Sequence, residues 1–273
     1  MPQRKATHKR VHSKSKPKTI FSAKYKYVWL GVILALLAYL FIFYMVLSPF
    51  SFRWHALYDN EYNIPEGYSI IGIDVSHHQG DIDWEKVTAG NINGTPISFA
   101  FVKATEGKGL IDKTFNYNFH EARENGLIRG AYHFYVPGIP AEEQAKFYIR
   151  QVNLEEGDLP PVLDIEKQGK LSNQQLRADI LKWLRIVEKR YGVKPIIYTY
   201  INFKQNILNT AEFKDYKFWI AHYYVKELKI NEDWRFWQST DRGRLPGIKG
   251  YIDLDVYNGS MYDLRRNTIK EKE

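Results

Sequence analysis

The chain has 273 residues, 44% of them hydrophobic, with a formal charge of +8 and no cysteine. This is enough apolar content for one good-sized core or two small ones; it excludes a disordered chain, disulfide bonding, thiolate chemistry and a cysteine-based zinc site. The positive charge does not mark a nucleic-acid binder, because nine Lys/Arg and no Asp/Glu fall within residues 1–26, which leaves the rest of the chain at −1.

Residues 1–26 are therefore read as a basic cytoplasmic tail, a topology signal that also suits anionic lipid head groups. Next comes "YVWLGVILALLAYLFIFYMVL", residues 27–47, without a charge. As a helix at 1.5 Å per residue it spans about 32 Å, against about 30 Å for a bilayer's hydrocarbon core. A cleaved secretory signal has an apolar stretch of roughly 7–15 residues and a small-x-small site, and "VLSPFSFRW" offers no such site. The expectation is an uncleaved, single-pass signal anchor in the cytoplasmic (inner) membrane. Lys24 and Lys26 precede the span and only Arg53 closely follows it, so the tail belongs inside and the remaining domain outside. Residues 48–68 mix aromatics with Pro and Gly without a period and read as a juxtamembrane linker.

From residue 69 short β-branched and aromatic runs begin: 69–75, 97–103, 128–135, 161–166, 195–200, 218–223, 235–240 and 251–257. These predict eight strands. Helical spacing fills 83–90, 113–125, 140–152 and 172–192, the last opening on a Ser cap and closing on Gly192. Alternating strand and helix implies parallel strands with right-handed crossovers, an α/β class. A complete eight-unit barrel takes about 250 residues, more than the segment holds. The expected solution is an incomplete TIM-like barrel over 69–264 that starts as βα units and finishes as plain strands, followed by a charged C-terminal tail, 265–273.

In such a barrel chemistry collects at the carboxyl ends of the strands. The fourth strand, "PPVLDIE", is apolar except for Asp164 and Glu166, which alternation puts on one face with α-carbons about 6.6–6.8 Å apart. Asp74 ends the first strand and can face the same mouth. Three carboxyls converging there cannot all ionise cheaply, so at least one is expected to hold a proton near neutral pH. A neutral acid beside a carboxylate is what glycosidic cleavage requires. Gln238 ends another strand, and Tyr135 and Tyr198 are the aromatic residues expected to offer a surface for sugar rings; His133, Trp219, Tyr223 and Trp237 are more simply core. Lys103 and Glu106 read as a structural charge pair. His77 and His78 are adjacent and cannot face one ion together on regular structure, so neither metal nor cofactor is expected.

Eight blocks in order, "GIDVSHHQGDIDW", "FVKATEG", "GAYHFY", "PPVLDIE", "PIIYTY", "FWIAHY", "FWQST" and "GYIDLDVYNG", cover residues 70 to about 260. Together they resemble the glycoside hydrolase family 25 lysozymes. The resemblance implies a (β/α)5β3 barrel and N-acetylmuramidase activity on peptidoglycan glycan strands, at the β-1,4 bond between N-acetylmuramic acid and N-acetylglucosamine. It assigns the general acid to Glu166, its partner to Asp164, and further site acids to Asp74 and Asp253, with Asp255 where the family more often has Asn. Substrate contact is expected from Asp253, Tyr135, Tyr198 and Gln238. Carboxyl groups about 5–5.5 Å apart suit a covalent nucleophile and about 6.5–9.5 Å an inverting water, a difference smaller than rotamers can create. The preferred scheme lets the substrate's own 2-acetamido group attack, supported by Asp164. The rival expectation is a wall-binding membrane protein without turnover.

Overall fold

A computed structural model of the chain describes residues 23–43, 64–230 and 234–270. The basic tail up to residue 22, residues 44–47 of the expected span, residues 48–63 of the expected linker and the last three residues lie outside this description. Two compact units are present, one within Met1–Asn60 and one within Glu61–Glu273.

In the first unit, α1 runs Ala23–Ile42 and so begins before the uncharged stretch, taking in Lys24 and Lys26. Its window Tyr25–Ile42 has a mean hydropathy of 1.9, and none of it is buried in protein. By length and composition this helix can cross a membrane.

The second unit is built on ten strands among the described residues: β1 Ile71–Val75, β2 Asn91–Ile92, β3 Thr95–Glu106, β4 Leu110–Ile111, β5 Ile128–Phe134, β6 Val162–Asp164, β7 Ile196–Tyr200, β8 Phe218–Ala221, β9 Trp234–Gly243 and β10 Ile252–Tyr257. Two of them, β2 and β4, are hairpin additions to β3 that the sequence pattern did not predict. The other eight close on themselves, because β1 pairs with both β3 and β10. Pairing is parallel from β1 through β3, β5, β6, β7 and β8 to β9. Strand β10 runs antiparallel to both its neighbours. The connection 244–251 explains this reversal: a parallel return needs a crossover of about a dozen residues or more, whereas a hairpin does not.

Helices cover the outside: α2 Trp84–Ala89, α3 Phe115–Glu124, α4 Ala141–Gln151, α5 Asn173–Tyr191, a short α6 Ile201–Phe203 and α7 Met261–Arg266. The longest, α5, starts on a capping box in which Ser172 and Gln175 satisfy each other's backbone N–H. It stops at Gly192, whose φ of 75° suits the left-handed cap. Its buried residues, Leu176, Ile180, Trp183, Leu184, Val187 and Tyr191, recur at helical spacing and form one face.

Alternation divides the apolar residues into two layers. Ile71, Ile73 and Val75 of β1 and Leu254 and Val256 of β10 belong to the larger cluster shared with the helices. Phe99, Phe101, Trp219, Phe236 and Tyr257 form a separate cluster inside the barrel. There Phe101 stacks on Trp219 with centroids 4.2 Å apart, and Phe99 meets Phe236 edge-on at 5.2 Å. Glycine makes this plug possible: a Cβ at Gly72 would sit 2.2 Å from the Phe99 ring and one at Gly130 2.7 Å from Phe101.

Both ends of the domain extend past the sequence boundaries. Ile64 and Tyr68 pack on the core, Tyr68 lying 5.8 Å from the rings of Trp234 and Trp237. Ile269 accepts from the Gly157 N–H, donates to the Asp158 carbonyl and also packs on the core. Residues 265–270 are thus tied to the barrel rather than forming a charged tail, because Thr268 and Ile269 bring contacts that the surrounding charges obscured.

Candidate active site

Strand β6 supplies the two central acids. Its ladder continues beyond Asp164, since the Ile165 N–H donates to the Tyr198 carbonyl at 3.0 Å and Thr199 Oγ1 donates to the Ile165 carbonyl at 2.6 Å. Extended geometry then turns Leu163 and Ile165 to the outer core and brings Asp164 and Glu166 to the opposite face. Both line a cleft of about 410 Å³ together with Asp74, Lys103, Gln238 and Asp253. Asp74 stands opposite Asp253 across the β1–β10 pair.

Burial decides the protonation of this group. Asp164 is 5% exposed, and its Oδ1 has no hydrogen-bond partner among the described residues. Its pKa is held well above the usual carboxylate range by burial first and the Glu166 charge second, with Lys103 opposing. Glu166, only half-buried, is raised by the same desolvation, while the Tyr200 hydroxyl, Lys167 and Lys103 favour its ionised form. Burial and Asp255 raise Asp74 strongly, and its bond from Gln238 works the other way. Asp253 is pushed up to about 9 by burial and by Asp74. All four carboxyls are shifted toward the neutral form, the aspartates more strongly than the half-exposed glutamate.

The one cation lining the cleft among the described residues is Lys103. Its Nζ is 2.7 Å from Glu106 Oε2 and 4.8 Å from the centroid of the Phe134 ring. Asp255 lies below the cleft, fully buried, and accepts from Trp219 Nε1 at 2.7 Å. It therefore orients Trp219, while Asp253 is the acid of that strand in the cleft.

Tyr198 and Gln238 line the cleft as expected. Tyr135 does not: it is 1% exposed in the outer core, and its hydroxyl has no partner among the described residues. On "YHFY" alternation gives two aromatic faces of equal appearance, and the structure sends Tyr132 and Phe134 inward. His133 goes outward, stacking on Trp183 at 5.6 Å with Nε2 against Gln144 Oε1. Tyr132, Phe134, Tyr200, Trp219 and Tyr223 complete the aromatic lining. Counting in twos from Asp164 and Tyr198 along paired strands would have found Tyr200, but only register identifies the correct face of β5.

A further residue missed by sequence is Asp112. It accepts from the His77 N–H at 3.0 Å, His77 Nδ1 at 2.7 Å and both donors of Thr114. Burial opposes its charge, yet these bonds hold its pKa below the ordinary value. Asp112 thereby fixes the turn that brings His78 and Gln79 to the cleft wall.

A largely parallel barrel that gathers carboxyls with raised pKa values at its strand ends has the equipment of a glycoside hydrolase. Comparison with known proteins specifies the family: residues 73–248 match the glycosyl hydrolases family 25, and the chain belongs to it. It is 46% identical over 205 residues to the uncharacterized protein YegX of Escherichia coli O6:H1, covering 74% of each chain. It is 33% identical over 210 residues to lysozyme M1 of Streptomyces globisporus, covering 70% of this chain and 68% of that one. Among solved structures, the bacterial lysozyme of Streptomyces coelicolor superposes with a TM-score of 0.68 at 32% identity, over 74% of this chain and 98% of the other. The chain is a glycoside hydrolase of the lysozyme type.

Proposed function

We propose that the protein cleaves the β-1,4 bond between N-acetylmuramic acid and N-acetylglucosamine in peptidoglycan, with Glu166 as general acid and then base. The observation that carries this reading is the pair at the end of β6: Glu166 just past the strand, half-open to the cleft, and Asp164 behind it, buried, its Oδ1 without a partner among the described residues. A buried acceptor without a donor is costly. The N–H of the substrate's 2-acetamido group can supply that donor, and in doing so favours ionised Asp164 at the moment the acetamido oxygen attacks the anomeric carbon. Closure of the cleft over sugar removes water from Glu166 and favours its neutral, proton-giving form. Asp74 and Asp253 border the same space, and Tyr198 and Gln238 form its wall.

In this reading the barrel is of the (β/α)5β3 type and α1 is an uncleaved anchor in the cytoplasmic membrane. The catalytic domain then works outside, on wall within reach of the anchor. The full chain in detergent, incubated with purified peptidoglycan, should release new reducing ends that terminate in muramic acid. N-deacetylated glycan should be a poor substrate if the acetamido group is the nucleophile. Retention on the wall without new reducing ends would favour the binding protein that lacks turnover.

A further inference from the structure

Gln238 is 3% exposed and joined on three sides. Its Oε1 accepts from the Tyr198 hydroxyl at 2.8 Å and from the Tyr223 hydroxyl at 2.5 Å, and its Nε2 donates to Asp74 Oδ2 at 2.6 Å. These residues come from four elements: β1, β7, β9 and the segment after β8. We propose that Gln238 is a positioning residue: two tyrosine hydroxyls grip its amide oxygen so that its amide N–H holds the Asp74 carboxyl in one orientation at the cleft.

The arrangement has a consequence for specificity. Each tyrosine has one proton to give, and both are committed within the Tyr198–Tyr223–Gln238 cluster, where the two hydroxyls also bond to each other. Toward a bound glycan Tyr198 and Tyr223 can only accept, so this wall selects a hydroxyl or amide N–H and disfavours an acceptor. The inference rests on the muramidase reading for its kinetic effect, but the geometry of Asp74 can be tested without turnover.

The charged and titratable groups facing the amide and Asp74 are Asp253 and Asp255 on β10, Glu166 and Asp164 at β6, and Tyr132 on β5. Lys103 on β3 faces Asp164 and Glu166. In a Gln238→Glu variant the new carboxyl is buried among acids, so it stays neutral at low pH and gains charge as pH rises. While neutral it can accept from both tyrosines and donate O–H to Asp74, as the amide does. Once ionised it repels Asp74.

The expected result is a ratio of kcat, variant to wild type, near unity at acid pH that falls by about tenfold or more as pH rises through the new titration, with KM little changed. Tyr198→Phe and Tyr223→Phe should each cost a few-fold, and the double variant more than the product, because either hydroxyl alone still holds Oε1. Independently of turnover, carboxyl-carbon NMR of Gln238→Leu should show Asp74 titrating at higher pH than in wild type, since a bond favouring its charge is gone. Thermal melting identifies any variant that fails to fold. An unmoved Asp74 titration in the folded variant, or a kcat ratio flat with pH, overturns the proposal. An inactive wild type with a shifted Asp74 would instead defeat the muramidase reading and leave the positioning role standing.

Discussion

Replacing Glu166 by Gln keeps the size of the side chain and its capacity to hydrogen-bond with Tyr200, but removes the proton it can surrender. General acid catalysis contributes about 10²- to 10⁴-fold, which is about 2.7–5.4 kcal/mol on the barrier at about 1.36 kcal/mol per decade. The other acids of the cleft are held elsewhere: Asp164 is 5% exposed and lies behind Glu166, Asp74 is tied through Oδ2 to Gln238, and Asp253 stands opposite Asp74 across the β1–β10 pair. Glu166→Gln should therefore lose at least about 10²-fold in kcat/KM on purified peptidoglycan, read as new reducing ends. A second effect follows from the electrostatics. The Glu166 charge is the second cause, after burial, of the raised Asp164 pKa. Without it the Asp164 pKa falls, so any pH dependence of the residual rate that reports Asp164 moves to lower pH. In the wild type, by contrast, activity should decline as pH rises through the elevated pKa of Glu166, where the acid loses its proton. Equal kcat/KM for the two proteins would refute Glu166 as the proton donor.

Asp253 predicts a stability effect with a defined sign. Its folded pKa of about 9 exceeds an unfolded value of about 3.9, so the native state binds more protons between those values and stability falls as pH rises through that window. Asp253→Asn should match wild type near pH 4 and melt at least about 3 °C higher at pH 8, equivalent to about 1 kcal/mol for a domain of this size; identical melting curves at pH 8 would contradict the burial argument. Gly72→Ala drives a methyl group into the Phe99 ring and should cost about 1–3 kcal/mol in a denaturant titration. Arg129 donates from Nε to Asp158 Oδ1 at 2.8 Å and from Nη1 to the Phe119 carbonyl at 2.7 Å. Arg129→Met leaves buried Asp158 with the Glu155 N–H at 2.9 Å and the Arg123 guanidinium at 3.8 Å but without its closest cation, and should destabilise by about 1.5–3 kcal/mol, with a smaller loss for Arg129→Met combined with Asp158→Leu. EDTA should leave the reducing-end rate unchanged, and a loss restored by a divalent cation would require a metal that the carboxyl mechanism does not use.

Several features were legible in the sequence because they depend on local order alone. Hydrophobic periodicity of 2 and 3.6 marked the eight barrel strands and helices α2 to α5, but not the short α6 and α7. The apolar stretch around residues 27–42 announced a helix with the composition of a membrane span. Two acids inside an apolar strand pointed to Asp164 and Glu166, since parity along one extended segment is fixed by backbone geometry. The position of Asp74 at a strand end completed that group.

What lay beyond the sequence depends on which strands pair and in what register. "YHFY" carries aromatic residues on both faces, so only the closed barrel could turn Tyr132 and Phe134 into the cleft and send Tyr135 to the helices. The reversal of β10 follows from a short connection whose strand boundaries appear only once pairing is known. Asp112, far along the chain from His77, acquires its role by proximity in space. The electrostatics of the acidic group are also tertiary: an isolated Asp or Glu is ionised at neutral pH, and burial, reinforced at the aspartates by neighbouring acids on strands distant in sequence, is what pushes the pKa of each of these carboxyls upward.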